Sequence, residues 1–183
     1  MKTTILQAGN SFGLESRRNI LTDNLHTMPQ LKIWIHLVWT TKNRKPLLTA
    51  TIRRQVFSHI RENAIGKGIH LDFVNGYTDH VHCLISLKPD QCISKLTQLL
   101  KGESSYWINK NKLVVGKFEW QGEYFAASVS DAGINRVRAY IKNQEVHHKV
   151  RSFQQEYEEL MIKSGLQGKG AKAPVPSGLA TSP

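Results

Sequence analysis

Hydrophobic and polar residues alternate from Leu31 to Thr41, with Ile33, Ile35, Leu37 and Trp39 on one face and Lys32, Trp34, His36, Val38 and Thr40 on the other. A period of two is the signature of a strand. The spacing then becomes helical through Ile52, Val56, Phe57 and Ile60, where Thr49 can cap the helix and Gly66 and Gly68 can end it. Ile69 to Tyr77 reads as a second strand, and Asn75-Gly76 signals a turn or bulge before a third strand that carries His80 and His82. A second helix is expected from about Gln91, with Ile93, Leu96, Leu100 and Trp107 at helical spacing, followed by a strand from Glu123 to Ser130. Between Gly133 and His148, Ile134, Val137 and Ile141 mark a third helix, and Phe153 to Lys163 a fourth.

Strand, helix, strand, strand, helix, strand is the order of a ferredoxin-like βαββαβ fold of the α+β class, an antiparallel sheet with both helices on one face. The opposite face is then expected to be open, with the third helix added outside the core motif and able to cross it. The domain limits follow the composition. Residues 1–29 have weak periodicity and end at Pro29, which marks an N-terminal appendage. Residues 30–164 form one domain, and 165–183, rich in Gly and Pro, form a tail with too little apolar area to order itself. No internal repeat is present.

The third strand carries the first candidate chemistry. His80 and His82 share a face with Leu84 and Ser86, while Val81, Cys83, Ile85 and Leu87 point to the core. An isolated pair of this kind is more often two half-buried strand histidines than a site. Here Tyr140 and Gln144 lie one turn apart beside the apolar stripe of the third helix, so both project from the same side. A tyrosine at such a boundary ordinarily packs its ring and wets its hydroxyl. Taken together, two imidazoles, a carboxamide and a phenol are the inventory for metal-assisted attack on a phosphodiester, which needs a Lewis acid on a non-bridging oxygen and a nucleophile held in line. Asp79 either orients His80 or is a turn residue, and its position favours the turn.

Charge narrows the partner. Lys and Arg number 25 against 14 Asp and Glu, a formal charge of +11 with a pI near 9.8, which favours a polyanion such as nucleic acid. Lys42, Arg44, Lys45, Arg53 and Arg54 cluster after the first strand and form the candidate DNA-binding footprint. Trp34, Trp39, Trp107 and Trp120 are available for base stacking, although Trp39 and Trp107 read better as core. Two cysteines, Cys83 and Cys92, suggest neither a disulfide framework nor a cysteine-rich zinc site. No apolar run of about 18 residues or more occurs, and no secretory signal is legible, so a cytoplasmic protein without a membrane partner is expected.

Several segments in order resemble the HUH-type single-tyrosine transposases of the smallest bacterial insertion sequences and their REP-associated relatives. They are His36 to Lys42, Asp79 to Ile85, Lys101 to Ser105 read as a helix end, Phe118 to Gln121, Phe125 to Ser130, and Tyr140 to Gln144 with the following Glu145, His147 and His148. The resemblance runs over roughly residues 31 to 162. It implies a metal-dependent enzyme that nicks and joins single-stranded DNA at insertion-sequence ends through a 5′-phosphotyrosine at Tyr140. It also implies a divalent metal, Mg²⁺ or Mn²⁺, on His80, His82 and Gln144, although zinc or nickel would suit such ligands by affinity. The implied partners are a single-stranded DNA hairpin and a second copy of the chain, in a homodimer whose tyrosine helix completes the other subunit's site. A REP-associated transposase able to act as a monomer, or a domesticated hairpin-binding protein without mobility, is the alternative.

Overall fold

The computed structural model describes residues 31–166; the proposed appendage 1–29, and all but the first two residues of the proposed tail 165–183, lie outside the described residues. Strands β1 (Ile33–Thr40), β2 (His70–Gly76), β3 (His80–Leu87) and β4 (Phe125–Val129) form one antiparallel sheet in the order β2-β3-β1-β4. Helices α1 (Ala50–Gly66) and α2 (Ile93–Lys110) complete the βαββαβ motif. The α+β ferredoxin-like expectation therefore holds, with most boundaries shifted by one or two residues.

Both helices pack against the face built by alternate residues of the central strands. Ile35, Leu37 and Trp39 from β1 and Val81, Cys83 and Ile85 from β3 meet Val56, Phe57, Ile60 and Ala64 of α1 and Leu96, Leu100 and Ile108 of α2 in one buried cluster. Thr49 caps α1 by accepting from the Ile52 amide, and Gly68, at φ +65°, turns the chain out of the helix as a left-handed residue should. Lys101 to Ser105 is not a helix end: α2 continues to Lys110. Asn109 then bonds both backbone groups of Phe118, which drops Phe118 and Trp120 into the core. Trp120 is thus core with Trp39, and Trp107 stacks half-buried on His59, which leaves Trp34 as the only one of the four not committed to that cluster.

The other sheet face is not open. Three further helices, α3 (Ile134–Lys142), α4 (Gln144–His147) and α5 (Phe153–Lys163), follow β4. Phe153 of α5 joins Val38 and Phe125 in a second apolar cluster, flanked by Tyr157, Leu160 and Met161. In consequence β1 and β3 are covered on both faces, and His80 and His82 have no solvent exposure. The single third helix expected between Gly133 and His148 is broken at Asn143. The reason lies on β2: the Asn75 side-chain amide donates to the Ile141 and Lys142 carbonyls at 2.9 and 3.1 Å, satisfying acceptors at the end of α3.

Asn75-Gly76 is the end of β2 rather than the turn; the reversal uses Tyr77, Thr78 and Asp79. Gly76 is required by close approach. A Cβ there would lie 2.1 Å from the His80 carbonyl oxygen, a backbone atom that cannot move without disturbing the histidine strand. Gly76→Ala should therefore lower stability by about 1–3 kcal/mol or more, read as a fall in the urea midpoint. A midpoint equal to wild type would contradict this account of the hairpin.

Candidate active site

The β3 pleat aims both imidazoles at α5, and a second partner fixes each ring. His80 Nδ1 lies 2.8 Å from Asp79 Oδ1, while Asp79 Oδ2 accepts from Arg44 Nε and Nη2 at 3.2 and 3.0 Å. Asp79 thus orients His80 as well as ending the turn, against the preference for a turn residue alone. Burial would raise the Asp79 carboxyl, but His80 and Arg44 outweigh it and hold it below its ordinary value. His82 Nδ1 lies 3.0 Å from His36 Nε2, and the two rings stack. Burial, followed by the neighbouring His82, pushes His36 down to about 3, so it is neutral and serves His82 as a hydrogen-bond partner. With both Nδ1 atoms engaged, both Nε2 atoms face one point.

Helices α3 to α5 bring the remaining groups to that point. Gln144 is fully buried, and its Oε1 lies 3.3 Å from His80 Nε2. The centre of the cluster is Glu156 on α5, which the sequence reading missed. Its carboxylate lies 3.4 Å from His82 Nε2 and 3.7 Å from His80 Nε2, and it accepts from Gln144 Nε2 at 2.9 Å and from the Tyr140 hydroxyl. His148 Nε2 is 3.0 Å away from it. Glu156 was legible only as a charge on an amphipathic helix; nothing local announced that it faces inward. Burial alone would raise it, but His82, His148 and His80 outweigh burial and hold it well below the usual carboxylate range.

Tyr140 is half-buried beside His82 and His36, at ring distances of 5.8 and 6.0 Å. Burial first, and then the Glu156 charge, raise its hydroxyl well above the ordinary phenol value. His36, Tyr140 and Glu156 line a cleft of about 610 Å³ between β4, α3 and α5, with Ser128, Ser130, Arg136 and Lys163 toward its mouth. Metal-ligating chemistry is concentrated here: among the described residues His80, His82 and Glu156 each offer a ligand atom, all within 4.8 Å of one another. Two of those atoms, His82 Nε2 and Glu156 Oε2, are buried without a well-formed hydrogen bond. Buried donors and acceptors are rarely left so, and a divalent cation would satisfy both.

The five residues of the expected DNA footprint divide. Arg53 is buried, paired with Glu145 and packed over the Tyr77 ring, and Arg44 lies over Phe153 while holding Asp79. These two brace the site from within. Lys42 is exposed but paired with Glu119, and Lys45 and Arg54 are exposed.

Two buried histidines of an antiparallel ferredoxin-like sheet thus lie beside Tyr140 on a neighbouring helix. The family model described as "Transposase IS200 like" matches residues 29–144, more than half of the chain, and the chain belongs to that family. It is 30% identical to the ISDra2 transposase TnpA of Deinococcus radiodurans over 115 residues, 60% of this chain and 81% of that protein. A solved candidate transposase from Deinococcus radiodurans R1 is similar at 26% identity with a TM-score of 0.52, over 63% of this chain and 93% of that one. The fold is also that of a REP-associated tyrosine transposase solved bound to a REP hairpin, with a TM-score of 0.50 at 17% identity, over 67% of this chain and 72% of that one. No helix among the described residues is long and apolar enough to cross a membrane.

Because the Glu156 charge contributes to keeping the Tyr140 phenol protonated, Glu156→Gln should let Tyr140 titrate at lower pH than in the wild type. Carbon-13 tyrosine NMR, with Tyr140→Phe to assign the signal, reads this. An unchanged Tyr140 titration would contradict the coupling.

Proposed function

We propose that this transposase cleaves and rejoins single-stranded DNA at the ends of an insertion sequence, with Tyr140 as nucleophile and a divalent metal held by His80, His82, Gln144 and Glu156. The observation that carries this reading is the contact of the Tyr140 hydroxyl with Glu156, the carboxylate that also faces both histidine Nε2 atoms. Nucleophile and donor set are thus adjacent, as an in-line attack requires.

A divalent cation bound there would polarise a non-bridging phosphate oxygen and offset the Glu156 charge that keeps the phenol protonated. The chain's own residues do the rest. Asp79 and His36 fix the two imidazoles, and Gln144 and Glu156 bridge them to the tyrosine helix. As the Tyr140 oxygen bonds to phosphorus, the bond from phosphorus to the 3′ oxygen breaks. The phenol proton is given up to solvent water and the leaving 3′ oxygen takes one up from water, so it leaves as a hydroxyl with no net change in protons. One phosphoester bond replaces another, so a 3′-hydroxyl can later attack the 5′-phosphotyrosine and reseal the strand without an energy source. Arg136 and Lys163 at the cleft mouth suit the backbone phosphates of an unpaired strand, together with exposed Lys45 and Arg54.

A DNA hairpin is the proposed ligand and Mg²⁺ or Mn²⁺ the proposed ion. The shared-site homodimer is not needed to assemble these residues, because a single chain brings its own Tyr140 to its own histidines. That observation favours a site working within one chain, the arrangement expected of the REP-associated relatives.

Incubating the protein with Mg²⁺ or Mn²⁺ and hairpin-containing single-stranded oligonucleotides should give a denaturation-resistant adduct. Tyr140→Phe should abolish the adduct while retaining hairpin binding, since only the attacking oxygen is lost, and paired duplex should be cut negligibly. An adduct of wild-type yield from Tyr140→Phe, or equal cleavage of duplex, would refute the proposal.

A further inference from the structure

Beyond the segment matched by the family model, which ends at Gln144, one more imidazole reaches the centre. His148 follows Gln144 by one helical turn, and its amide donates to the Gln144 carbonyl at 3.0 Å. Its side chain is 4% exposed. The ring stacks on Tyr77 at 4.8 Å, 17° from parallel, and Nδ1 lies 3.1 Å from the Arg151 carbonyl oxygen. A carbonyl can only accept, so Nδ1 carries a hydrogen and Nε2 is the atom turned to the centre. That Nε2 lies 3.1 Å from His80 Nε2, 3.2 Å from Gln144 Oε1 and 3.0 Å from Glu156 Oε2.

His80 is turned the same way, because its Nδ1 is engaged by the Asp79 carboxylate. Two imidazole Nε2 atoms 3.1 Å apart need a proton or a cation between them. Ligands held at about 2.1 Å from one ion, with angles between roughly 90° and 110°, stand about 3.0–3.5 Å apart, which is the spacing found here.

We propose that His148 is a ligand of the same centre, making it a site of three imidazoles, one carboxylate and one amide oxygen that holds Mn²⁺, of the two ions proposed above, and other first-row dications more tightly than Mg²⁺. The inference rests on the metal reading of the site given above. Nitrogen donors favour zinc, nickel, cobalt and manganese over magnesium, which prefers oxygen ligands and retains its water. His148 lies outside the tightest group of His80, His82 and Glu156, on the side of His80 and Glu156, so sharing one ion with His82 would require its ring to shift inward. Tyr77 stacks on the His148 ring, and Arg44 and Phe153 close the far side of His80.

The test uses Co²⁺ as probe on the full chain. Calorimetry should show tight Co²⁺ binding that Mg²⁺ in about a hundredfold excess does not displace, and His148→Ala should weaken it by at least about tenfold. Because a merely orienting residue can also cost tenfold, the deciding readout is X-ray absorption at the cobalt edge, which counts imidazole ligands. The wild type should give three and His148→Ala two. A count of two in the wild type means that only a proton joins His148 to its neighbours and overturns the proposal without touching the two-histidine site. No Co²⁺ binding by the wild type, or binding unaffected by His80→Ala and His82→Ala, would overturn the metal reading itself.

Discussion

A buried carboxylate holds the histidine face of this sheet together. Glu156 is 5% exposed and faces three imidazoles, an amide and a phenol, so a charge that burial disfavours is retained because its neighbours stabilise it. The consequence is structural as well as chemical. Phe153, three residues earlier, sits in the small apolar cluster that attaches α5 to Val38 and Phe125, so the helix delivering the carboxylate is also the cover of the site. The atoms proposed to hold a metal are the ones that make these resting hydrogen bonds, and the Glu156 charge raises the Tyr140 hydroxyl above the ordinary phenol value.

The tyrosine helix owes its position to polar links that are independent of Glu156. Arg138 on α3 forms a two-pronged pair with Asp72 on β2, at 2.6 and 3.2 Å. Asn75, opposite His82 in the ladder, receives the end of α3, and Arg53 of α1 holds Glu145. Asp72 is the residue at the bulge of β2 and Asn75 lies three residues on, so an edge strand of the sheet becomes the dock for the helix carrying Tyr140. Each link is modest where solvent reaches it. Their value is in fixing the angle at which Tyr140 and Gln144 meet the histidines.

Local pattern was enough for the frame. Alternation in β1 and β3, the cap at Thr49 and the glycines after α1 all act within a few residues, and the sheet followed from their order. The placement of His80, His82, Tyr140 and Gln144 on facing elements was legible for the same reason. What escaped was long-range. Nothing around Glu156 distinguishes it from Glu158 or Glu159, and its inward orientation is decided by which face of α5 meets Val38. Arg44 and Arg53 read as part of a basic surface because a run of cations near a strand end looks the same whether its partners are phosphates or Asp79 and Glu145. The break at Asn143 was hidden because its cause, Asn75, lies on another strand.

That Tyr140 serves the histidines of its own chain is the claim on which the remaining chemistry depends. Co-refolding Tyr140→Phe and His80→Ala proteins and measuring cleavage of a single-stranded hairpin end tests it most directly. Each partner is inactive alone, and a mixed dimer regains an intact site only if the tyrosine crosses between subunits. The expected result is no recovery in verified mixtures. Recovered cleavage would contradict a site built within one chain and restore the shared arrangement.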